Sequence, residues 1–212
     1  MHYNKSLLPK QILLCAGILL VCLYSRAQAS SMLNWQLVKD KDAVKVYTAT
    51  PTSGTLKYIK VEALLNGTID KFLTIFKNVP NQTQWVYKAK RSYIIRTNAY
   101  DDLLYYNQTS LPWPMNDRDV AIHMKIKEDT LHQQVFITSV GVPTAIPVKD
   151  NIIRVPHFEG NWTVRAAGPN KIQVYYFLNL DPGGSIPAWI SNLFITKGPY
   201  ETFINLANQL KS

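Results

Sequence analysis

The sequence of 212 residues predicts an α+β fold, an antiparallel β-sheet curved around a long C-terminal α-helix, with one short helix after the second strand. Three observations carry this expectation. The middle of the chain is a succession of short β-rich runs with period-two alternation, separated by turn residues. One early window, 69–79, switches to the helical period. The last part, 186–210, places apolar residues at i, i+3, i+4 and i+7. Antiparallel strands with one wet face must cover the other, and the apolar stripe of the final helix is the available cover.

The N-terminal segment is set apart from that fold. Lys5 and Lys10 precede an apolar run at 12–23, and Ala27-Gln28-Ala29 supplies small residues for cleavage, so residues 1–29 read as a secretory signal peptide. The run is too short for the ~20 residues that cross a bilayer. Export to a periplasm or the exterior is expected, leaving residues 30–212 as one domain. Cys15 and Cys22 both fall in the discarded segment, so the remainder must fold without disulfides or thiolate metal sites. Neither a cofactor nor a metal is expected. Loss of Lys5, Lys10 and Arg26 lowers the formal charge from +9 by three, and the remaining positive charges are scattered. The densest group, Lys88, Lys90 and Arg91, suits a solvated strand edge, and no nucleic-acid motif accompanies it. Nucleic acid is not an expected partner, and a monomer is expected.

Strands are expected at 44–49 and 56–65, joined by Pro51-Thr-Ser-Gly54, which has hairpin composition. Ile59, Val61, Ala63 and Leu65 alternate with polar residues and mark a buried face. Thr68 is the expected N-cap of the helix at 69–79, whose apolar face is Ile69, Phe72, Leu73 and Phe76. Further strands follow at 90–96, 103–111, 119–127, 131–140, 152–166 with a break near Pro156, and 171–180. Phe158, Gly160, Trp162, Val164 and Ala166 form one apolar face, and Ile172, Val174, Tyr176 and Leu178 another. Gly183-Gly184 supply a turn, Ser185 the cap and Pro187 the first turn of the closing helix, which Gly198-Pro199 should bend.

Three segments resemble a START domain (steroidogenic-acute-regulatory-protein-related lipid transfer domain), the helix-grip fold. They are Trp35 to Tyr47 (WQLVKDKDAVKVY), Pro112 to Ile122 (PWPMNDRDVAI) and Tyr175 to Leu193 (YYFLNLDPGGSIPAWISNL), in the family's order across residues 30–212. The resemblance implies an internal hydrophobic cavity for one lipid or sterol-like molecule, with binding, and transfer as a further expectation, in the absence of catalysis. Without the resemblance, the same aromatic residues fit a filled core better than a cavity wall. The expected wall is Tyr106, Gln108, Ile122, Met124, Trp162, Val164, Tyr176, Trp189, Ile190, Leu193 and Phe194. Arg118 and Asp119 belong to a motif at the cavity mouth, where Arg118 either meets a headgroup or ties the turn to neighbouring backbone. Some sterol- and phospholipid-binding relatives carry an arginine six residues after the motif arginine, where this chain has Met124, so the resemblance implies a more apolar interior and argues against a phospholipid ligand. Strand alternation leaves open which side of 103–108 faces in.

The loop 141–149, with apolar Val142, Ala145 and Ile146, is expected to pack on the C-terminal helix as a gate or as a static lid. His123, His132 and His157 lack metal-ligand spacing, and no nucleophile elbow is present, so an enzyme is not expected. The alternative is a polyketide cyclase-like enzyme on the same helix-grip fold. A module whose ligand signals to a protein partner is a third reading. The partners implied are a lipid or another hydrophobic small molecule, with a transient contact at a membrane surface.

Overall fold

The computed structural model describes residues 33–49 and 56–211. The expected signal segment, its cysteines and the turn at 51–54 lie outside the described residues. One sheet dominates the remainder, built from β1 (Gln36–Lys41), β2 (Val44–Ala49), β3 (Lys57–Asn66), β4 (Ala89–Ala99), β5 (Asp102–Thr109), β6 (Asp117–Asp129), β7 (Gln134–Gly141), β8 (Ile152–Arg154), β9 (His157–Ala166) and β10 (Lys171–Asp181). The order is β1-β2-β3-β10-β9-β7-β6-β5-β4, antiparallel throughout, with short β8 pairing parallel to β6. The helical elements are α1 (Ile69–Lys77), a 3₁₀ turn (Val79–Asn81), α2 (Gln82–Trp85), α3 (Ala188–Asn192), a π-turn (Leu193–Lys197) and α4 (Gly198–Lys211).

The sheet follows the period-two pattern. Val44 and Val46 of β2, Ile59 to Leu65 of β3, and Ile172 and Val174 of β10 are buried on one face, paired in register across the strands. Thr68 caps α1 as expected, accepting a hydrogen bond from the Lys71 amide at 3.2 Å, and Phe72, Leu73, Ile75 and Phe76 bury its inner face. Phe72, Phe76, Trp162, Tyr176 and Phe203 join α1, β9, β10 and α4 in one aromatic cluster, with Trp162 and Tyr176 stacked at 4.1 Å. Offset stacks of this kind add about 0.5–1.5 kcal/mol each beyond burial.

Several boundaries differ from expectation for local reasons. The expected strand at 131–140 begins only at Gln134, because Gln133 takes the left-handed conformation (φ 48°) in a turn. The break near Pro156 is real and separates β8 from β9. The closing helix starts at Ala188, with Pro187 rather than Ser185 in the capping position and no side chain accepting there. A π-turn (Leu193–Lys197) separates α3 from α4 just before Gly198-Pro199, where Pro199 lacks a backbone donor. β1, α2 and the 3₁₀ turn were not anticipated as elements. α4 anchors the assembly through Phe203, Leu206 and Leu210.

Candidate functional site: a cavity under the C-terminal helix

Between the concave sheet face and the α3–π-turn–α4 segment lies a cavity of about 250 Å³. Trp162 and Tyr176 form part of its wall from the sheet, and Ile190, Phe194 and Ile195 from the closing segment. Lys57, Leu111, Arg118, Pro182 and Ile186 ring the end next to the β10–α3 connection.

Register decides which residues of β5 face it. Tyr105 pairs with Ile122 and Asn107 with Val120, so the set Leu103, Tyr105, Asn107 and Thr109 shares the inner face with Val120, Ile122 and Met124. Tyr105 and Asn107 line the cavity; Tyr106 and Gln108 do not. The expected roles of Tyr106 and Gln108 as wall residues are therefore corrected. Both are buried all the same, because another layer covers the outer face. The Lys149 ammonium sits 3.7 Å from the centre of the Tyr106 ring, and Gln108 donates to Asp117 at 2.7 Å.

That outer layer is the loop 141–149. Arg154 donates to the carbonyls of Pro143, Ile146 and Pro147 and pairs bidentately with Asp119, at 2.6 and 3.2 Å. Lys149 donates to the Tyr93 hydroxyl at 3.4 Å. Among the described residues, the loop's hydrogen bonds run to the outer side of β4–β6 and β8, opposite the helix. Val142, Ala145 and Ile146 thus do not line the cavity, and the expected packing of this loop on the C-terminal helix is corrected. Asp119 likewise serves this outer tie rather than the mouth.

Arg118 does border the cavity. Its guanidinium donates to the backbone carbonyls of Pro182 (3.3 Å) and Gly183 (3.2 Å), so two nitrogens hold the turn before α3 against the start of β6, while the third donates to Asn116 (2.6 Å) beside its own strand. Burial pulls its pKa below the usual arginine value. This is the backbone-tying role, and it engages three of the five guanidinium N–H groups.

Of the remaining expected wall residues, Ile122, Trp162, Tyr176, Ile190 and Phe194 line the cavity. Met124 and Val164 are fully buried in the core beside it. Trp189 is 57 % exposed, since neighbouring helical positions lie about 100° apart and Ile190 takes the inner side. Leu193 is also absent from the wall. The π-turn adds a residue to the helical turn and rotates the stripe, bringing Phe194 and Ile195 inward instead.

Sequence reasoning missed Gln82, Trp85, Tyr105, Asn107 and Ser139, all on the wall. Gln82 accepts from Ser92 at 3.3 Å and from Asn107 at 3.5 Å, and its amide reaches the Tyr105 hydroxyl. Burial pushes the Tyr105 pKa up to about 12 and drives that of Tyr176 higher still. The wall is thus uncharged over the whole physiological range apart from Arg118 and Lys57 at one end.

The histidines find carboxylates despite their spacing. His123 lies 2.8 Å from Asp102 and His132 2.8 Å from Asp129. Neither pair lines the cavity. Among the described residues no three His, Cys, Asp or Glu side chains converge as metal ligands.

Comparison with known proteins matches this architecture. A protein of Pseudomonas aeruginosa without assigned function is 29% identical over 173 residues, 82% of this chain and 85% of that one. The phosphatidylcholine transfer protein of Bos taurus is 27% identical over 178 residues, 81% of each. The crystal structure of a STAR-related lipid transfer protein from Xanthomonas axonopodis superposes with a TM-score of 0.75 at 25% identity, over 84% of this chain and 99% of that fragment. Human StAR-related lipid transfer protein 5 shares the fold, with a TM-score of 0.74 at 15% identity over 94% and 96% of the two chains. Residues 21–206 match the START domain. The chain belongs to the START domain family of lipid transfer proteins.

Proposed function

We propose that this protein binds a hydrophobic molecule in the cavity beneath its C-terminal helix and carries it, without catalysis, after export directed by residues 1–29. The observation that carries this reading is the mostly apolar cavity walled by Trp162, Tyr176, Ile190 and Phe194. A guest burying ~400 Å² of apolar surface gains roughly 10 kcal/mol at about 25 cal/mol per Å². Association costs of several kcal/mol leave micromolar or tighter affinity without a charged anchor. The volume of about 250 Å³ lies below the ~300–1,000 Å³ of sites for drug-sized ligands, so a sterol-sized guest needs the closing segment to move outward. Contact with a membrane surface during loading suits Trp113, 90 % exposed, and Trp189, which are free to enter a bilayer interface.

Native mass spectrometry of protein purified without detergent tests the reading. A lipid retained by the chain, and lost in Leu178→Trp, which fills the cavity, is the expected result. An empty protein that turns over an aromatic precursor would establish the cyclase-like alternative instead. Fractionation of the producing cells with an antibody checks export, and recovery of the full-length chain in the cytosol overturns it.

A further inference from the structure

The cavity wall carries more hydrogen-bonding capacity than the protein itself satisfies. Trp85 lines the cavity and its indole N–H is buried without a partner. A buried donor left unpaired is a cost that native folds rarely retain. Ser139 and Tyr176, also on the wall, have no hydrogen-bond partner for their hydroxyls among the described residues. The Tyr176 ring is stacked on Trp162 at 4.1 Å, which fixes this side chain on the cavity wall. Beside them Gln82, Tyr105 and Asn107 bond to one another and to Ser92, which fixes their orientation. All six are neutral. Among the described residues the cationic wall groups are Arg118 and Lys57, at the β10–α3 end, and Arg118 is already bonded to three carbonyls.

We propose that Trp85, Ser139 and Tyr176, steadied by the Gln82–Tyr105–Asn107 cluster, form an uncharged polar subsite for a hydroxyl or carbonyl oxygen on an otherwise apolar guest. The ligand class is a neutral amphiphile, such as a long-chain alcohol, a sterol alcohol or a ketone. A phosphate or carboxylate headgroup has no counter-charge beside these six groups and is disfavoured at the subsite. The inference rests on the hydrophobic-ligand reading above and narrows it. An acceptor oxygen satisfies the indole N–H, and a hydroxyl can in addition donate to Ser139 or Tyr176.

The test uses purified protein loaded with the uncharged fluorophore N-phenyl-1-naphthylamine, displaced by dodecane, 1-dodecanol or dodecanoate. Dodecanol is expected to compete about 5- to 10-fold better than dodecane, as one net hydrogen bond implies. Trp85→Phe should bring the dodecanol-to-dodecane preference, measured as a ratio within the variant, close to one. Ser139→Ala and Tyr176→Phe, which alter the fold least, should each remove part of it. Equal competition by dodecane and dodecanol overturns the subsite, as does dodecanoate binding tightest or a loss in the variants that falls on both compounds alike. Failure of the fluorophore and of all three competitors to bind overturns the hydrophobic-ligand reading itself.

Discussion

Replacing Arg154 with Met should destabilise the protein by about 4 kcal/mol, because removing one partner of a buried ion pair costs about 3–5 kcal/mol. The structure supports the upper part of the surface-to-buried range for such pairs. Arg154 and Asp119 are 9 % and 1 % exposed in their side chains, and the pair is bidentate. Met fills the volume of the aliphatic stem, so the loss is electrostatic rather than steric: the Asp119 carboxylate stays buried with no cation. The three loop carbonyls that Arg154 holds lie near the surface and recover hydrogen bonds from water, adding little. For a chain of this size each kcal/mol moves the melting temperature by about 2–4 °C, so thermal unfolding followed by circular dichroism should shift downward by about 8–16 °C. The double variant Asp119→Asn/Arg154→Met removes the stranded charge and should regain about half of the loss. Hydrogen exchange should quicken at the Ala145 amide, which bonds to the Val142 carbonyl in this loop. A loss below ~1 kcal/mol, or a double variant no more stable than the single one, refutes the claim that this pair fastens the loop.

Three further expectations follow from particular contacts. Gly183→Ala should cost about 1–3 kcal/mol in urea unfolding, since residue 183 has φ 70° and its added Cβ would stand 3.1 Å from the Pro156 ring and 3.2 Å from the Arg154 carbonyl oxygen. Trp189→Ala should change stability by less than ~1 kcal/mol, whereas Ile190→Ala, one residue on, should cost about 2 kcal/mol, a contrast that thermal unfolding reads directly. The hydrogen bond to Asp42, with a smaller contribution from burial, raises the Tyr200 pKa to about 12. A raised folded-state value favours the neutral phenol, so this contribution is complete below the unfolded value near 10 and disappears as pH rises through about 12. Spectrophotometric titration of Asp42→Asn should show one tyrosine ionising nearer 10, and an unchanged titration sinks the assignment.

Residues on elements with one dry face were legible in the sequence, and those on elements covered twice were not. β9 and β10 alternate apolar and polar residues because their outer face meets water, which is why Trp162 and Tyr176 were placed correctly. β5 does not alternate. Loop 141–149 and Lys149 roof its outer side, so Leu104, Tyr106 and Gln108 are as buried as Leu103, Tyr105 and Asn107. Period alone cannot choose between two buried faces. β1 escaped notice for the opposite reason, being an edge strand whose residues are nearly all exposed. α2 has four residues, too few to display a helical period, and with it Gln82 and Trp85 were missed. The family resemblance supplied the cavity; it could not supply its polar lining, which comes from residues that pair only across the fold.

The closing segment is unequal along its length, and this confines where the cavity can open. α4 is held by Phe203, Leu206 and Leu210 in the core and by the Thr202 hydroxyl, which accepts from the Tyr87 amide at 3.0 Å. α3 has one buried residue, Ile190, and a start without a side-chain cap, and the π-turn after it buries none. Segments with few buried contacts open at lower free energy than the elements they join. Arg118 clamps the other end of α3 through Pro182 and Gly183, so the weak stretch runs between two fixed points, the turn at 182–184 and the start of α4. Motion there exposes Ile190, Phe194 and Ile195 while the sheet and the polar subsite stay in place. On the proposed hydrophobic-ligand reading, this stretch is the entry route past the helix, and it lies apart from the groups proposed to meet the guest's oxygen.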